Sequence, residues 1–371
     1  MTKVRKTIAV LPGDGIGPEV IRSARLILDE CASAHGHHFD FVDLPFGGVA
    51  IDKCGEPLPA ETLDACRKAD AVLLGAVGGA KWDSQPLTRR PEAGLLALRK
   101  ELGLYINARP VKLIEPLRAI SAVRLKEDET IDLEIVRELA GGIYFGPRRT
   151  TGSNGDETAS DTEIYSSKEI ERIALYAFRR AAARRKRLAS IDKANVLASS
   201  GLWRRTVERI ATGFRDVRLD SLYVDNVALQ LVLRPAQFDV MLTSNMFGDI
   251  LSDEAAALAG SIGLIPSMSL GDGTALYEPI HGSAPQLAGK NSANPIGAIL
   301  CAAMLLRESF GLHREAAVVE KSVNHVLAAG FRTPDIAAGS SRTIGCSEMA
   351  AQIRATLAES AMEAEQYGWG V

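Results

Sequence analysis

The sequence lacks several things, and each absence excludes a class of protein. Its five cysteines (Cys31, Cys54, Cys66, Cys301, Cys346) are odd in number, scattered and free of CxxC pairs. That excludes a disulfide framework and a thiolate zinc site, and it suits a reducing compartment. No long apolar run is present: the best, Ala298 to Leu306, is about half the ~20 residues a membrane span needs. The opening leads into Thr7 to Leu11, an apolar run too short for a secretory signal core and without a small-residue cleavage site. Charge of one sign is missing too. There are 43 Lys and Arg against 46 Asp and Glu, a formal net charge of −3, so the overall field favours neither nucleic acid nor an anionic membrane. There is no internal repeat and no low-complexity tract. What remains is a 371-residue chain, 46% hydrophobic and 24% charged, with the composition of a soluble cytoplasmic enzyme and a length that suggests two domains.

Local patterns alternate between strand and helix. Thr7 to Leu11 is a buried strand and Gly13-Asp14-Gly15-Ile16-Gly17 a turn, and Pro18 suits the start of a helix because its missing N–H has no partner there anyway. Phe39 to Val42, Pro59 to Ala69 and Asp70 to Gly75 continue the series as strand, helix and strand. This βαβαβ opening favours parallel pairing. Ile131, Leu133 and Ile135 alternate with Asp132 and Glu134, which predicts a half-buried strand. Ser166 and Glu169 have capping-box spacing ahead of a helical apolar stripe through Ala181. Gly146 to Asp161 is polar and glycine-rich, an exposed excursion. Strands are predicted at Leu188 to Ile191, Val217 to Val224 and Asp239 to Ser244, and the chain from Ser292 onward reads as mostly helical.

Several residues carry chemical promise. The glycine turn follows a strand and opens a helix, but Pro18 stands where the dinucleotide fingerprint needs its third glycine, so a standard Rossmann site is not expected. In Asn245 to Asp253, Asp249 and Asp253 share one face of a helix placed to start near Gly248. Two readings stand side by side: acids that stabilise a helix start, or hard oxygen ligands for Mg²⁺ or Mn²⁺, with Asp225 as a candidate third ligand. Arg99, Arg109 and Arg137 stand at element ends, where guanidinium forks suit a substrate bearing two carboxylates; singly, each also suits an ordinary ion pair. Lys193 follows a strand, a position where a lysine beside a metal could act as a base. His35, His37 and His38 are read as a surface turn, and the basic run Arg179 to Arg187 as a solvated helix end.

Taken in order, these motifs resemble the isocitrate/isopropylmalate family of β-decarboxylating dehydrogenases. The resemblance is carried by Gly13 to Glu19, Gly94 to Lys100, Arg137-Glu138-Leu139 with Gly142 to Gly146, Asp192 to Leu197, Tyr223-Val224-Asp225, Asn245 to Asp253, and Glu278 to Pro285. It implies an α/β fold of two domains, a mixed sheet flanked by helices, with a nucleotide site that is not of the Rossmann kind. One domain is discontinuous, 1–104 with 260–371; the other, 105–259, holds the dimer contacts and an arm near 146–162. It implies a homodimer with shared sites, no membrane and no nucleic-acid partner.

The resemblance also implies oxidative decarboxylation of a small 3-substituted malate with NAD and Mg²⁺ or Mn²⁺. Arg99, Arg109 and Arg137 would hold the malate carboxylates, Lys193 would be the base and Tyr144 the proton donor. Asp225, Asp249 and Asp253 would bind the metal, Lys193 and Asp225 arriving from the second subunit, with Asp225 also at the substrate. Ile16, Asn195, Glu278, His281, Gly282, Ser283, Ala284, Gln286 and Asn294 would line the cofactor. Glu92, Leu95 and Leu96 precede Arg99, and the leucine pair suits a branched alkyl group at C3, making 3-isopropylmalate the implied substrate ahead of tartrate, homoisocitrate or another relative. A non-catalytic paralogue binding RNA or a partner through Arg179 to Arg187 is the lower alternative. Four departures from the family pattern stand out, one being the segment Pro147 to Thr162, which follows it poorly. Ala108 interrupts the usual Asn-Leu-Arg-Pro, Ser244 the usual Thr-Gly-Asn, and Gln286 occupies the position where NAD-using members carry aspartate.

Overall fold

The computed structural model describes residues 3–153, 155–339 and 342–366. In chain order its main strands are β1 (Arg5–Gly13), β2 (His38–Asp43), β3 (Ala71–Ala76), β4 (Leu104–Lys112), β5 (Asp132–Glu138) and β6 (Arg148–Ser153). They continue with β7 (Asp156–Asp161), β8 (Arg187–Asp192), β9 (Arg218–Tyr223), β10 (Val240–Thr243), β11 (Pro266–Gly271) and β12 (Leu276–Pro279). The helices are α1 (Gly17–His35), α2 (Gly48–Cys54), α3 (Ala60–Lys68), α4 (Pro91–Glu101), α5 (Ser167–Ala182) and α6 (Ala198–Ala211). After them come α7 (Val224–Leu233), α8 (Asn245–Ala259), α9 (Ile296–Glu308), α10 (His313–Ala328) and α11 (Cys346–Gln366). No helix among the described residues is long and apolar enough to cross a membrane.

The chain divides into two compact units. The first comprises Met1–Gly103, Ile114–Ser121 and Ala259–Val371; the second comprises Leu104–Leu113 and Ala122–Leu258. Unit one orders its strands β2-β1-β3-β12-β11, parallel except for β11 against β12. Its sheet is covered by α1 and by α9, which is buried on nearly every side, as expected of a helix apolar all round. Ile114–Ser121 belongs to this unit although it falls inside the expected central stretch 105–259: Leu117 is buried and the carbonyl of Pro116 accepts from Arg332 Nη2 at 2.8 Å.

Unit two orders its strands β4-β5-β10-β8-β9, antiparallel only between β4 and β5. α5 and α6 pack on this sheet. The capping box at Ser166 and Glu169 is present, and the buried stripe of α5 runs from Ile170 to Ala181 as its periodicity predicts. The polar excursion is a hairpin of β6 and β7, exposed throughout.

Four expectations are corrected by packing. β5 is buried on both faces, not half-buried, because Glu134 is satisfied by a two-pronged bond from Arg180 and Glu138 by the N–H groups of Ala140 and Gly141. Within the basic run, Arg180 pairs with the buried Glu134, and Arg184 and Arg185 with the buried Asp239, tying the helix end to the sheet, while Arg179, Arg185, Lys186 and Arg187 remain exposed. His37 is no surface residue: its ring is fully buried and meets Glu315 of α10 at 3.2 Å. α8 begins at Asn245, one turn earlier than placed from sequence.

Candidate active site

Register brings Arg109 and Arg137 of unit two onto one surface. In the β4–β5 ladder Asn107 lies opposite Arg137 and Arg109 opposite Ile135. Since side chains alternate along a strand, Arg109, Asn107 and Arg137 share a face. On the other side of β5, Arg137 pairs with Thr243, the last residue of β10, so the chain entering α8 starts beside it. Along α8, Asn245, Asp249, Ser252 and Asp253 recur at helical spacing and meet the two arginines.

The resulting cluster is dense. Arg109 donates from Nε to Asn107 Oδ1 at 2.7 Å and from Nη1 to Ser252 Oγ at 2.6 Å, and its guanidinium lies 3.5 Å from Asp249 and 3.8 Å from Asp253. Arg137 bonds Asn245 through Nε and Nη2 and Asp249 through Nη1. The Tyr144 hydroxyl donates to the other Asp249 oxygen at 3.0 Å. Burial, then the negative charge of Asp249, pushes the Tyr144 phenol above its ordinary value, so it stays protonated at neutral pH. Both arginines are buried, whereas the side chains of Asp249 and Asp253 are 38% and 61% exposed. Anchored cations therefore sit behind accessible carboxylates.

Lys193 and Asp225 form a second, separate group. They follow the parallel neighbours β8 and β9, and Lys193 Nζ lies 2.6 Å from Asp225 Oδ1. Asp225 opens α7, whose Leu229, Val232 and Leu233 are exposed at four, seven and eight residues further on, one continuous helical face. Ile250, beside Asp249, is exposed as well. Among the described residues no three His, Cys, Asp or Glu side chains converge as a metal cluster, so within one chain Asp225 does not join Asp249 and Asp253. The donor set itself, all carboxylate oxygen, suits a hard divalent cation.

Unit one carries the remaining candidates. On α4, Leu98 and Arg99 are buried, Leu95 and Leu96 are half-buried and Glu92 is exposed, so the leucine pair is not core. Arg99 Nη2 donates to Glu278 Oε1 at 2.6 Å, and its buried Nε has no protein partner. Around the glycine turn, Ile16 N donates to Ser283 O and Gly17 N to Asp14 O. These N–H groups, which a Rossmann site would present to a pyrophosphate, are already taken. A Cβ on Gly15, at φ +56°, would lie 1.9 Å from Ser283 O, so the turn and the 281–284 loop interlock.

In that loop His281 is buried with Nδ1 on Gly282 O and Nε2 unpartnered, and burial holds its pKa below the ordinary value. Gly282 and Gln286 are exposed, and Ala284 takes a left-handed φ of +36°. A neutral imidazole with a vacant ring nitrogen beside open backbone fits a heteroaromatic ligand. Asn294 is committed to Asp335 and to the N–H of Ile296. Asn195 lies on unit two, exposed, apart from the other cofactor candidates in sequence and unit.

Sequence reasoning assigned no role to Asn107, Asn245 and Ser252. Their signal was periodicity: Asn107 is two residues from Arg109 on a strand, and Asn245 and Ser252 lie four before and three after Asp249 on a helix.

Comparison with known proteins gives the family. The family model for isocitrate/isopropylmalate dehydrogenase matches residues 7–353. The chain belongs to that family. It is 52% identical over 359 residues to the 3-isopropylmalate dehydrogenase of Bacillus licheniformis, covering 96% of this chain and 97% of that one. The Bacillus subtilis 3-isopropylmalate dehydrogenase is 54% identical over 337 residues, 90% of this chain and 92% of that one. Among solved structures, an isocitrate dehydrogenase from Methylococcus capsulatus superposes with a TM-score of 0.85 at 33% identity, covering 95% of this chain and 99% of that one. Family members thus share the mixed-sheet α/β fold over nearly the whole length.

Proposed function

We propose that this chain catalyses the NAD-dependent oxidative decarboxylation of 3-isopropylmalate to 2-oxo-4-methylpentanoate and CO₂, a step of leucine biosynthesis. The observation that carries the reading is the Arg109–Arg137–Asp249–Tyr144 cluster, two anchored cations and a proton donor gathered on accessible carboxylates. The relatives named above for this activity support it. Arg109 and Arg137 grip malate carboxylates by bidentate bonds, and Arg99, with its unpartnered Nε, supplies a third cation. Leu95 and Leu96 receive the isopropyl group, whose burial contributes about 1.5–3 kcal/mol, and Glu92 rims their pocket.

Asp249 and Asp253 would hold Mg²⁺ or Mn²⁺ with Asp225 of a second copy, and Ile16, Glu278, the loop His281 to Ala284, Gln286, Asn294 and Asn195 would line the NAD site. When bound, the cation supplies Lewis-acid stabilisation of charge on the C2 oxygen, and NAD⁺ supplies the hydride acceptor. The chain's own groups manage the protons. Lys193 would be the base that takes the C2 hydroxyl proton, once its pair with Asp225 has opened and its ammonium has given up a proton to solvent. Tyr144, kept neutral by burial and by Asp249, returns a proton to C3 after CO₂ leaves. A homodimer follows from the same placement, since Asp225 heads an exposed apolar face that a second copy would cover.

Initial rates on 3-isopropylmalate, other 3-alkylmalates, isocitrate and tartrate, with NAD⁺ or NADP⁺, test the reading. The highest kcat/KM is expected for 3-isopropylmalate with NAD⁺, and excess EDTA should abolish it. Turnover of isocitrate or tartrate alone would overturn the substrate, and full activity in EDTA the metal.

A further inference from the structure

Asn245 is 1% exposed and both ends of its amide are in use. Oδ1 accepts from Arg137 Nε at 3.0 Å and Nη2 at 2.7 Å, while Nδ2 donates to the carbonyls of Leu139 at 3.3 Å and Gly141 at 2.9 Å. Its backbone N–H donates to the Tyr165 hydroxyl at 2.9 Å. The two carbonyls belong to the turn between β5 and Tyr144. One side chain therefore fixes an edge of the Arg137 guanidinium and the loop that carries the tyrosine.

We propose that Asn245 is a positioning residue for substrate binding, a neutral amide that aims Arg137 without cancelling its charge. This rests on the reading that Arg137 grips a substrate carboxylate. Neutrality is the decisive property. Arg137 is already balanced by Asp249, so a second carboxylate on its other edge would turn a neutral pair into a net negative group facing an anionic substrate. A carboxylate at position 245 would also set its second oxygen against the carbonyl oxygens of Leu139 and Gly141, where the amide places N–H donors. The arginine is held along its stem too, because α8 has glycine at 248 where it crosses.

The test is a double-mutant cycle on the purified dehydrogenase, with kcat and KM measured for 3-isopropylmalate and NAD⁺ and thermal melts run alongside. Asn245→Asp should raise the KM for 3-isopropylmalate by at least ~10-fold, with kcat and the KM for NAD⁺ within about threefold. Asn245→Ala should raise the same KM in the wild-type background but by no more than ~2-fold in Arg137→Lys, because lysine has no fork to orient. Asn245→Ser carries the cycle if the alanine variant does not fold. Equal fold-losses in both backgrounds, or a loss confined to kcat, would overturn the proposal. If the wild type instead turns over another 3-substituted malate, the substrate reading fails on its own, and the same cycle on that acid decides the role of Asn245.

Discussion

Gly248→Ala separates what holds Arg137 from what merely builds a helix. A Cβ at 248 would lie 2.3 Å from Thr243 Oγ1 and 2.7 and 2.8 Å from Cγ and Cβ of Arg137. All three distances are shorter than real contacts allow, so either the β10 terminus or the arginine stem must move. Alanine favours a helix interior over glycine by about 1 kcal/mol, while overfilling a packed site costs about 1–3 kcal/mol. Net destabilisation is then about 0–2 kcal/mol, a fall in Tm of ~8 °C at most for units of this size. Activity should suffer more. Shifting the fork by a few tenths of an ångström to 1 Å breaks its alignment with a carboxylate, and misplacement of that order costs about 100-fold in kcat/KM, or ~2.7 kcal/mol. Steady-state kinetics beside a thermal melt read both. A variant with wild-type KM and a raised Tm would show that helix propensity alone was changed and that the stem of Arg137 does not depend on Gly248.

Three further outcomes are expected. Mixing the inactive Arg109→Ala and Lys193→Ala chains under subunit exchange should restore up to about a quarter of wild-type activity, since half the dimers are mixed and each holds one intact site; no recovery after confirmed exchange would refute a shared site. Replacing Leu95 and Leu96 by alanine should lower kcat/KM for 3-isopropylmalate about 10–200-fold more than for malate, and an equal loss across a 3-alkylmalate series would make them structural. His281, held below its ordinary pKa by burial, takes up a proton more readily unfolded than folded, so its share of stability is complete above about pH 6.5 and is lost as pH falls through the folded value. The Tm of the wild type should therefore drop more between pH 7.5 and 5.5 than that of His281→Asn, and parallel slopes would count against the buried neutral imidazole.

Local chemistry was legible in the sequence and distant partners were not. The capping box at Ser166 and Glu169 and the stripe of α5 depend on residues within one turn of each other, so spacing revealed them. The shared helix face of Asp249 and Asp253 was legible for the same reason. His37 was misread because its burial depends on Glu315, 278 residues away. The ion pairs of Arg180, Arg184 and Arg185 were not legible because their acids, Glu134 and Asp239, come from strand β5 and from just before β10, far away in sequence. Ionic partners across a sheet have no period in sequence. Lys193 and Asp225 lie between these cases: each follows a strand end, and parallel pairing of Asp192 with Tyr223 then sets them side by side.

β5 confines how this enzyme can change. Glu134, Arg137 and Glu138 are all buried on one short strand, and their partners come from α5, α8 and the following turn. A slip of one residue would turn every side chain to the opposite face and strand three charges, each loss worth about 3–5 kcal/mol. A single substitution meets a smaller version of the same barrier. On the proposed reading, recognition of the substrate's constant carboxylates is thus welded to the strand that fixes the fold. On the same reading, new substrates would be open to this scaffold mainly through half-exposed positions such as Leu95 and Leu96 on α4, where a change of side chain leaves no buried charge behind. If those assignments hold, the fold makes the choice of C3 substituent easy to evolve and the malate frame hard to abandon.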